Sequence, residues 1–245
     1  MRRPRLFCPT LSTGLVRLSA EESHHATASL RASAGQEVVL FDGAGTEAEG
    51  TIARIGRGNI EIEVETLTAV PFALACRLTL AVAMGRAHRQ GYLIEKCTEL
   101  GVAAIWPLIA ERSVSKPGSD AVAKWTRRAI EAAKQSEQAW VPTISPPRTF
   151  NESLVHAPDF DAATLLDTGQ ALTSFSTLLA RQPESNTVLI WVGPEGGWST
   201  AERSLATEAG IERTTLGPTV LRTETAAVTA CAAGALDTAG RRNSP

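Results

Sequence analysis

The sequence lacks long apolar segments and any cysteine pattern, and each absence excludes a class of protein. No apolar run approaches the ~20 residues that a membrane-spanning helix needs. The basic start, Met1–Phe7, lacks the long apolar segment of a signal peptide. The four cysteines are widely scattered without a CxxC spacing, which supports neither a zinc site nor a disulfide framework. We therefore expect a cytoplasmic protein with reduced thiols and no metal.

The sequence also lacks an excess of positive charge. Its net charge is −2, which argues against a protein that coats nucleic acid regardless of sequence, because such binding depends mainly on neutralising phosphates. Local basic clusters remain, and each alone can be simply a solvated face. Together they leave room for an RNA-binding surface: Arg2, Arg3 and Arg5; Arg54 and Arg57; Arg86, His88 and Arg89; and Lys124, Arg127 and Arg128.

The first seventy residues have the pattern of a small β-rich domain. Asn59–Glu65 alternates strictly, with Ile60, Ile62 and Val64 on one face, which predicts a half-buried strand. Glu37–Phe41 is a second strand candidate, followed by a turn signal. Between the early strands, Ser19 to Glu22 fits a capping box and predicts one short helix. These features predict a small barrel over residues 1–70.

From residue 74 to residue 245, strands and helices alternate, which is typical of a mostly parallel sheet covered on both faces. The pattern predicts strands at 78–84, 103–109, 162–166 and 187–192. It predicts helices at 91–100, from Asp120 through Trp140, and around 172–181. The sequence is therefore expected to form a second domain of the α/β class.

Two glycine-containing loops follow apolar strands near the end of this second domain. The first is Gly193-Pro194-Glu195-Gly196-Gly197, and the capping-box sequence from Ser199 to Glu202 starts a helix directly after it. Glycine lets a ligand approach the backbone closely, although a tight turn without a ligand would look the same. The segment contains neither GxxxxGK[ST] nor GxGxxG, so the usual phosphate-binding loops are excluded.

The second loop runs from Leu216 into Arg222-Thr223-Glu224-Thr225, just before an alanine-rich helix predicted over 226–236. Open α/β sheets bind ligands at the carboxyl ends of their strands, so two such loops suggest one pocket with two rims. A structural alternative remains open, in which Thr223 is only an N-cap and Glu224 only complements the helix dipole.

Both loops together, GPEGGWSxxE and LGPxxLRTETAA, resemble those of the ribosomal RNA small subunit methyltransferase E family, of the SPOUT class. Three further segments agree with the family in the right order: 25–43, 95–102 and 131–136. The resemblance implies an N-terminal PUA-like β-barrel for RNA and a C-terminal α/β domain with a parallel sheet and a deep trefoil knot. It also implies a homodimer that methylates N3 of a uridine in 16S ribosomal RNA with S-adenosyl-L-methionine.

The resemblance assigns site residues as well. The cofactor would be bound by Leu166, Gly193, Glu195, Gly196, Gly197, Leu216, Gly217, Leu221, Arg222 and Thr223, with Asp167 beside Leu166. Arg222 and Glu224 would be catalytic. The RNA contacts expected are Arg5, His25, Arg31, Arg86, Arg89 and Lys96. Glu137 and Gln138 stand where family members often carry Gly-Arg, so one cationic RNA contact is absent or is supplied by a neighbour such as Arg127.

The chemistry suggests roles for the second loop. Methyl transfer to N3 requires loss of the imide proton, so we expect Arg222 to stabilise negative charge on the uracil oxygens. Glu224 would either accept the proton or orient Arg222. Two alternatives stay open: a related SPOUT enzyme that methylates another base or a ribose 2′-hydroxyl, and a non-catalytic RNA-binding assembly factor.

Overall fold

The chain divides into two compact units in the computed structural model. The structure describes residues 3–74, 76–114, 117–169, 171–182 and 185–242, and of residues 238–242 it describes only the backbone. One unit consists of Met1–Ala73 together with Ile130–Val141. The other consists of Leu74–Ala129 and Pro142–Pro245. Arg2 of the first basic cluster lies outside the described residues.

Among the described residues, the first unit contains a five-stranded sheet, one complete helix and the C-terminal end of a second helix. Strand order is β1-β3-β4-β5-β2, in which only the pairing of β1 with β3 is parallel. Its core contains Ile60, Ile62 and Val64, so the predicted half-buried strand is confirmed. The elements are β1 (Arg5–Phe7), β2 (Gly14–Arg17), α1 (Ala20–Ala28), β3 (Glu37–Phe41), β4 (Thr46–Gly56) and β5 (Asn59–Ala69).

Strand β4 was not predicted, although it is as long as its neighbour β5. Its pairing with β5 shifts register between Glu49 and Gly50 and again between Ile52 and Arg54. Each bulge interrupts the alternation of inward and outward side chains, which is the pattern that identifies a strand in sequence. The sequence of β4 therefore lacks the regular alternation of apolar and polar residues by which a strand is predicted.

The capping box predicted for α1 forms only in part. The Ser19 hydroxyl accepts a hydrogen bond from the Glu22 N–H, as expected. The Glu22 carboxylate instead accepts hydrogen bonds from the Phe7 N–H at 3.1 Å and from Lys134 Nζ at 2.7 Å. Glu22 thus joins the helix to two other segments of the same unit instead of closing its own cap.

The second unit alternates strands and helices, as the sequence predicts. Among the described residues its sheet has the order β11-β13-β10-β12-β6-β7-β8, with β9 beside β7, and every pairing is parallel. The elements are β6 (Arg77–Ala83), α2 (Ala87–Glu99), β7 (Ala104–Ile109), α3 (Ala121–Gln135), β8 (Thr143–Ile144), β9 (Arg148–Thr149), α4 (Phe150–Leu154), β10 (Ala162–Leu166), β11 (Thr173–Ser174), α5 (Phe175–Arg181), β12 (Thr187–Val192), α6 (Thr200–Glu208), β13 (Glu212–Thr215) and α7 (Thr223–Arg242).

The central strands explain why this sheet is parallel. Strand β6 is buried from Leu78 onward and β12 from Val188 onward. Continuous apolar strands of this kind need cover on both faces, which crossover helices provide. The mixed α/β class and the parallel sheet are therefore confirmed. The threading of the C-terminal segment as a trefoil knot stays a prediction.

Several helix boundaries differ from those predicted. Helix α2 begins at Ala87 instead of Gly91, and α7 runs from Thr223 to Arg242 instead of 226–236. Helix α3 ends at Gln135, five residues before Trp140. There Glu137 adopts a left-handed φ of 59° and the Gln138 N–H bonds the Ala133 carbonyl, a helix-terminating geometry that usually selects glycine. Among the described residues, no helix is long and apolar enough to cross a membrane.

Candidate active site

A cavity lies at the carboxyl edge of three adjacent parallel strands, β13, β10 and β12. Leu166 and Val192 are register partners at the ends of β10 and β12, and Thr215 ends β13. The cavity encloses about 670 Å³ of space, part of it open to solvent. Its walls are formed by Leu166, Asp167, Thr168, Val192, Gly193, Pro194, Glu195, Gly197, Trp198, Thr215, Leu216, Thr219, Val220, Leu221, Thr223 and Ala226. Both glycine-containing loops line it, which confirms the single pocket with two rims.

Trp198 determines the shape of the first loop. Its indole is fully buried, and Nε1 donates a hydrogen bond of 2.8 Å to the Leu166 carbonyl at the end of β10. A Cβ on residue 193 would lie 2.9 Å from this ring, so only glycine fits there. Ser199 and Glu202 form the predicted capping box, and α6 begins at Thr200. The loop is thus packed between the strand end and the helix start.

The Thr223 hydroxyl joins the two loops directly. It donates a hydrogen bond of 3.0 Å to the Gly193 carbonyl, and its side chain is buried. The interpretation of Thr223 as an N-cap is wrong, because α7 begins at Thr223 itself and the carbonyl of Arg222 accepts the bond from Ala226 N–H. This threonine therefore links the second loop to the first.

Seven of the predicted cofactor residues line the cavity and three do not. The lining residues are Leu166, Gly193, Glu195, Gly197, Leu216, Leu221 and Thr223. A Cβ on Gly196 would lie 3.1 Å from Arg112 Cβ, and the Gly196 carbonyl accepts a hydrogen bond of 3.1 Å from Arg112 Nη1. Gly217 forms a tight turn with the Thr215 hydroxyl. A side chain at position 196 would therefore meet Arg112, which is not a residue of the cavity wall.

Arg222 and Glu224, the predicted catalytic pair, do not contact each other. Arg222 is the third residue outside the cavity walls; it is exposed, and its side chain forms no hydrogen bond or ion pair with any other described residue. Glu224 lies in the first turn of α7, and its carboxylate approaches Arg89 Nη1 at 3.3 Å. No contact therefore supports the idea that Glu224 orients Arg222. The unpaired side chain of Arg222 belongs to a residue that stands between Leu221 and Thr223, which both line the cavity.

A buried carboxylate at the end of β10 forms the third edge of the cavity. The side chain of Asp167 is 3% exposed and accepts hydrogen bonds from Arg203 Nε at 2.7 Å and Arg203 Nη2 at 3.0 Å, and from Arg213 Nη1 at 3.2 Å. Burial pushes the pKa of Asp167 upward, but the hydrogen bonds from Arg203 and Thr168 and the two guanidinium charges outweigh it. The pKa therefore lies below the ordinary aspartate value.

The sequence interpretation missed Arg203, although a local signal was present. Arg203 lies in the first turn of α6, where the helix dipole disfavours a cation. A cation in that position indicates a specific anionic partner. Besides Asp167, its Nη1 donates a 2.6 Å hydrogen bond to the Trp198 carbonyl, so Arg203 connects the third edge of the cavity to the first loop.

The six predicted RNA contacts fall into two groups. Arg31 and Arg86 are exposed and have no charged partner among the described residues, and His25 is half-buried beside a hollow of the first unit. The other three are held by carboxylates: Arg5 by Glu47, Lys96 by Glu95 and Glu99, and Arg89 by Glu224. Hydrogen bonds to Glu99 and Glu95 raise the pKa of Lys96.

No set of three histidine, cysteine, aspartate or glutamate side chains suited to a metal ion occurs in the part of the chain that the structure describes. The four cysteines are buried free thiols. The cavity is instead built from apolar side chains, backbone groups and the charged groups described above.

Comparison with known proteins identifies both units of the chain. A family model described as an RNA methyltransferase domain matches residues 73–235, and one described as an RNA methyltransferase PUA domain matches residues 18–65. Proteins named ribosomal RNA small subunit methyltransferase E are similar over most of the chain. That of Synechocystis sp. is 31% identical over 89% of this chain and 71% of its own length. That of Bacillus subtilis is 30% identical over 88% of each chain.

Solved structures agree with this result over both units. A ribosomal RNA small subunit methyltransferase E from Neisseria gonorrhoeae, bound to S-adenosyl methionine, is 30% identical with a TM-score of 0.86, covering 95% of this chain and 96% of that one. A methyltransferase from Legionella pneumophila in complex with SAM is 29% identical with a TM-score of 0.86, covering 96% of this chain and 97% of that one.

Proposed function

Because the chain belongs to the ribosomal RNA small subunit methyltransferase E family, we propose that it methylates N3 of a specific uridine in 16S ribosomal RNA, with S-adenosylmethionine as methyl donor. The observation that carries the proposal is the cavity shared by the two glycine-containing loops, together with the exposed and unpaired side chain of Arg222 between the lining residues Leu221 and Thr223. A binding protein without catalysis would need neither the joined loops nor the unpaired arginine.

The residues of the cavity fit S-adenosylmethionine. Leu166, Leu216 and Leu221 supply apolar walls for an adenine ring, and the glycine loop lines the cavity directly after the end of β12. Among the described residues, the lining contains no lysine or arginine that could hold phosphates, which suits a nucleoside better than a nucleotide. When bound, this cofactor supplies an electrophilic methyl group on a sulfonium.

We assign the chemical step mainly to positioning and to Arg222. Orientation of two reactants can supply roughly 7–11 kcal/mol of the barrier, whereas acid–base help is typically worth ~10²–10⁴-fold. For transfer, N3 would lose its proton, and the electron pair left on the imide would form the new N–C bond while the bond from the methyl group to the sulfonium sulfur breaks. The leaving group would be S-adenosylhomocysteine, which keeps the electron pair of that bond on sulfur. Arg222 stabilises the negative charge that develops on the uracil carbonyl oxygens. Glu224 remains a candidate acceptor for the proton.

RNA contact is proposed for both units. The PUA-like domain, residues 1–70, would contribute Arg31 and His25, and the methyltransferase domain, residues 74–245, would contribute Arg86. Arg5, Lys96 and Arg89 are weaker candidates because each already neutralises a carboxylate. The family resemblance also implies that the protein works as a homodimer in the cytoplasm.

The test is a methyl-transfer assay with mapping of the product. Purified protein and S-adenosylmethionine carrying a labelled methyl group are incubated with unmethylated 16S ribosomal RNA or with small subunits, and the digested RNA is analysed by mass spectrometry. We expect label on the base of one uridine, with a product that coelutes with N3-methyluridine. Label on ribose or on another base would show a related methyltransferase of different specificity. RNA binding without transfer would show a non-catalytic factor.

A further inference from the structure

Arg89 lies between the carboxylates of the two loops that rim the cavity. Its Nη1 is 3.3 Å from Glu224 Oε1, at the start of α7, and 3.8 Å from Glu195 Oε1, in the glycine loop. Its side chain is 25% exposed, and those of Glu224 and Glu195 are 13% and 31% exposed. Three segments of the second unit therefore meet at one guanidinium: the start of α2 and both rims of the cavity.

The turn before α2 is shaped to receive the same carboxylate. A Cβ on Gly85 would lie 3.1 Å from Glu195 Oε1, closer than most side-chain contacts allow without movement. The turn is fixed by Gln90, whose Nε2 donates a 2.7 Å hydrogen bond to the Gly85 carbonyl and whose Oε1 accepts one of 3.2 Å from Trp125 Nε1. Glu195 thus packs against a glycine on an anchored turn, independently of its approach to Arg89.

We infer that Arg89 is a positioning residue of the cofactor cavity, which holds Glu195 and Glu224 so that the two rims keep a fixed separation. This inference rests on the proposed use of the cavity for S-adenosylmethionine. Without the guanidinium, two carboxylates would face the same small space with no cation between them, and their repulsion would separate the glycine loop from the start of α7. The pair of Arg89 with Glu224, whose side chains are 25% and 13% exposed, is screened less than a typical surface pair.

The inference differs from the phosphate contact that the sequence suggested for Arg89. A phosphate would have to displace both carboxylates from Arg89, whose side chain is three-quarters covered. Arg86, three residues earlier, is exposed and unpartnered among the described residues, and suits a phosphate without such an exchange. The two arginines therefore have separate tasks, and they provide a matched pair for a test.

The experiment compares Arg89→Ala with Arg86→Ala in the full-length protein. Calorimetry measures the affinity for S-adenosylmethionine in the absence of RNA, and filter binding measures the affinity for 16S ribosomal RNA as a function of salt. We expect Arg89→Ala to weaken cofactor binding about tenfold, a typical coupling for partly buried contacts, and to leave the salt dependence of RNA binding unchanged. Arg86→Ala should leave the cofactor affinity unchanged and weaken RNA binding. It should also reduce the salt slope, which is the steepness with which log K for RNA falls with log[salt], by ~0.7–0.9.

Two further variants separate positioning from a general loss of structure. Arg89→Lys keeps the charge and should recover most of the cofactor affinity. In Glu224→Gln, one of the two carboxylates is already neutral, so adding Arg89→Ala should cost less than it does in the wild type. Normal cofactor affinity in Arg89→Ala, or a lowered salt slope, would overturn the inference. Failure of the wild-type protein to bind S-adenosylmethionine would instead overturn the proposed function.

Discussion

At the scale of single residues, the site depends on whether each charge has a partner. Arg222 has none among the described residues, whereas Asp167 has two guanidiniums and Arg89 has two carboxylates. A free cation can meet a charge that develops during a reaction, because it needs no prior bond to be broken. A paired charge instead holds its neighbours in place.

Replacing Arg222 with alanine tests the role of the free cation. We expect turnover to fall about 10²–10³-fold, the typical cost of losing one group that stabilises a developing oxyanion. The affinity for S-adenosylmethionine should change little, because the Arg222 side chain does not line the cavity. Single-turnover rates and calorimetry measure the two quantities, with Arg222→Lys as the charge-conserving control. Near-normal turnover in Arg222→Ala would remove the arginine from the mechanism.

Asp167 should make stability depend on pH in the acid range. Its folded-state pKa is lowered, so its contribution is present above the unfolded-state value of about 3.9 and is lost as pH falls through the folded value. We expect Asp167→Asn to lower the free energy of unfolding by about 2 kcal/mol at pH 7, because two guanidiniums lose their anion. The difference from wild type should shrink below pH ~4.

Urea unfolding at pH 7 and at acid pH measures this effect. Glu208→Gln is the matched control, because Glu208 is an exposed carboxylate at the end of α6 and its removal should matter little at either pH. A constant difference between Asp167→Asn and wild type across this range would contradict the assignment.

At the scale of elements, the glycine loop has two sides with different tasks. Gly197 lines the cavity and has a φ of 67°, a backbone conformation that residues other than glycine adopt only at a cost in free energy. Gly196, beside it, lies against Arg112. The two neighbouring glycines therefore should not respond alike to substitution.

We expect Gly197→Val to weaken S-adenosylmethionine binding by more than about tenfold, because a branched side chain would strain the loop that forms the wall. Gly196→Val should disturb the contact with Arg112 and change cofactor affinity less. Calorimetry on both variants decides the matter, and circular dichroism checks that each is folded. Equal losses of affinity would show that the loop responds as one unit.

At the scale of the whole molecule, the first unit combines Met1–Ala73 with Ile130–Val141, a segment that is distant from it in sequence. Lys134, in Ile130–Val141, pairs with Glu22 at 2.7 Å, and each side chain is 8% exposed. The Trp140 indole donates a hydrogen bond of 2.9 Å to the Val70 carbonyl. A truncation that removes residues 1–70 alone would therefore leave Lys134 and Trp140 without these partners.

We expect Lys134→Met to lower the free energy of unfolding of the first unit by about 3 kcal/mol, because it leaves the buried carboxylate of Glu22 without its cation. Chemical denaturation monitored by circular dichroism measures the change. Glu131→Gln, which removes the half-exposed second partner of Lys134, should cost less than about 1 kcal/mol. A double variant, Lys134→Met with Glu22→Leu, should be more stable than Lys134→Met alone.

Much of the fold and part of the site could be predicted from the sequence because their signals are local. The alternation at Ile60, Ile62 and Val64, the apolar run of β12 and the capping box at Ser199 each lie within a few residues. The glycine-containing loops follow strand ends for the same reason, and parallel strands bring such ends to one edge of a sheet. The resemblance to the methyltransferase family extended this information to the nature of the ligand.

Only the tertiary structure decided which partner each side chain meets. The hydrogen bond from Thr223 to Gly193, the ion pair of Arg89 with Glu224 and that of Lys134 with Glu22 join residues 30, 135 and 112 positions apart. The sequence determines which residues carry these hydroxyl, carbonyl and charged groups and where along the elements they stand. Their partners depend on how strands and helices pack, because hydrogen bonds and ion pairs act over a few ångströms of space and not along the chain.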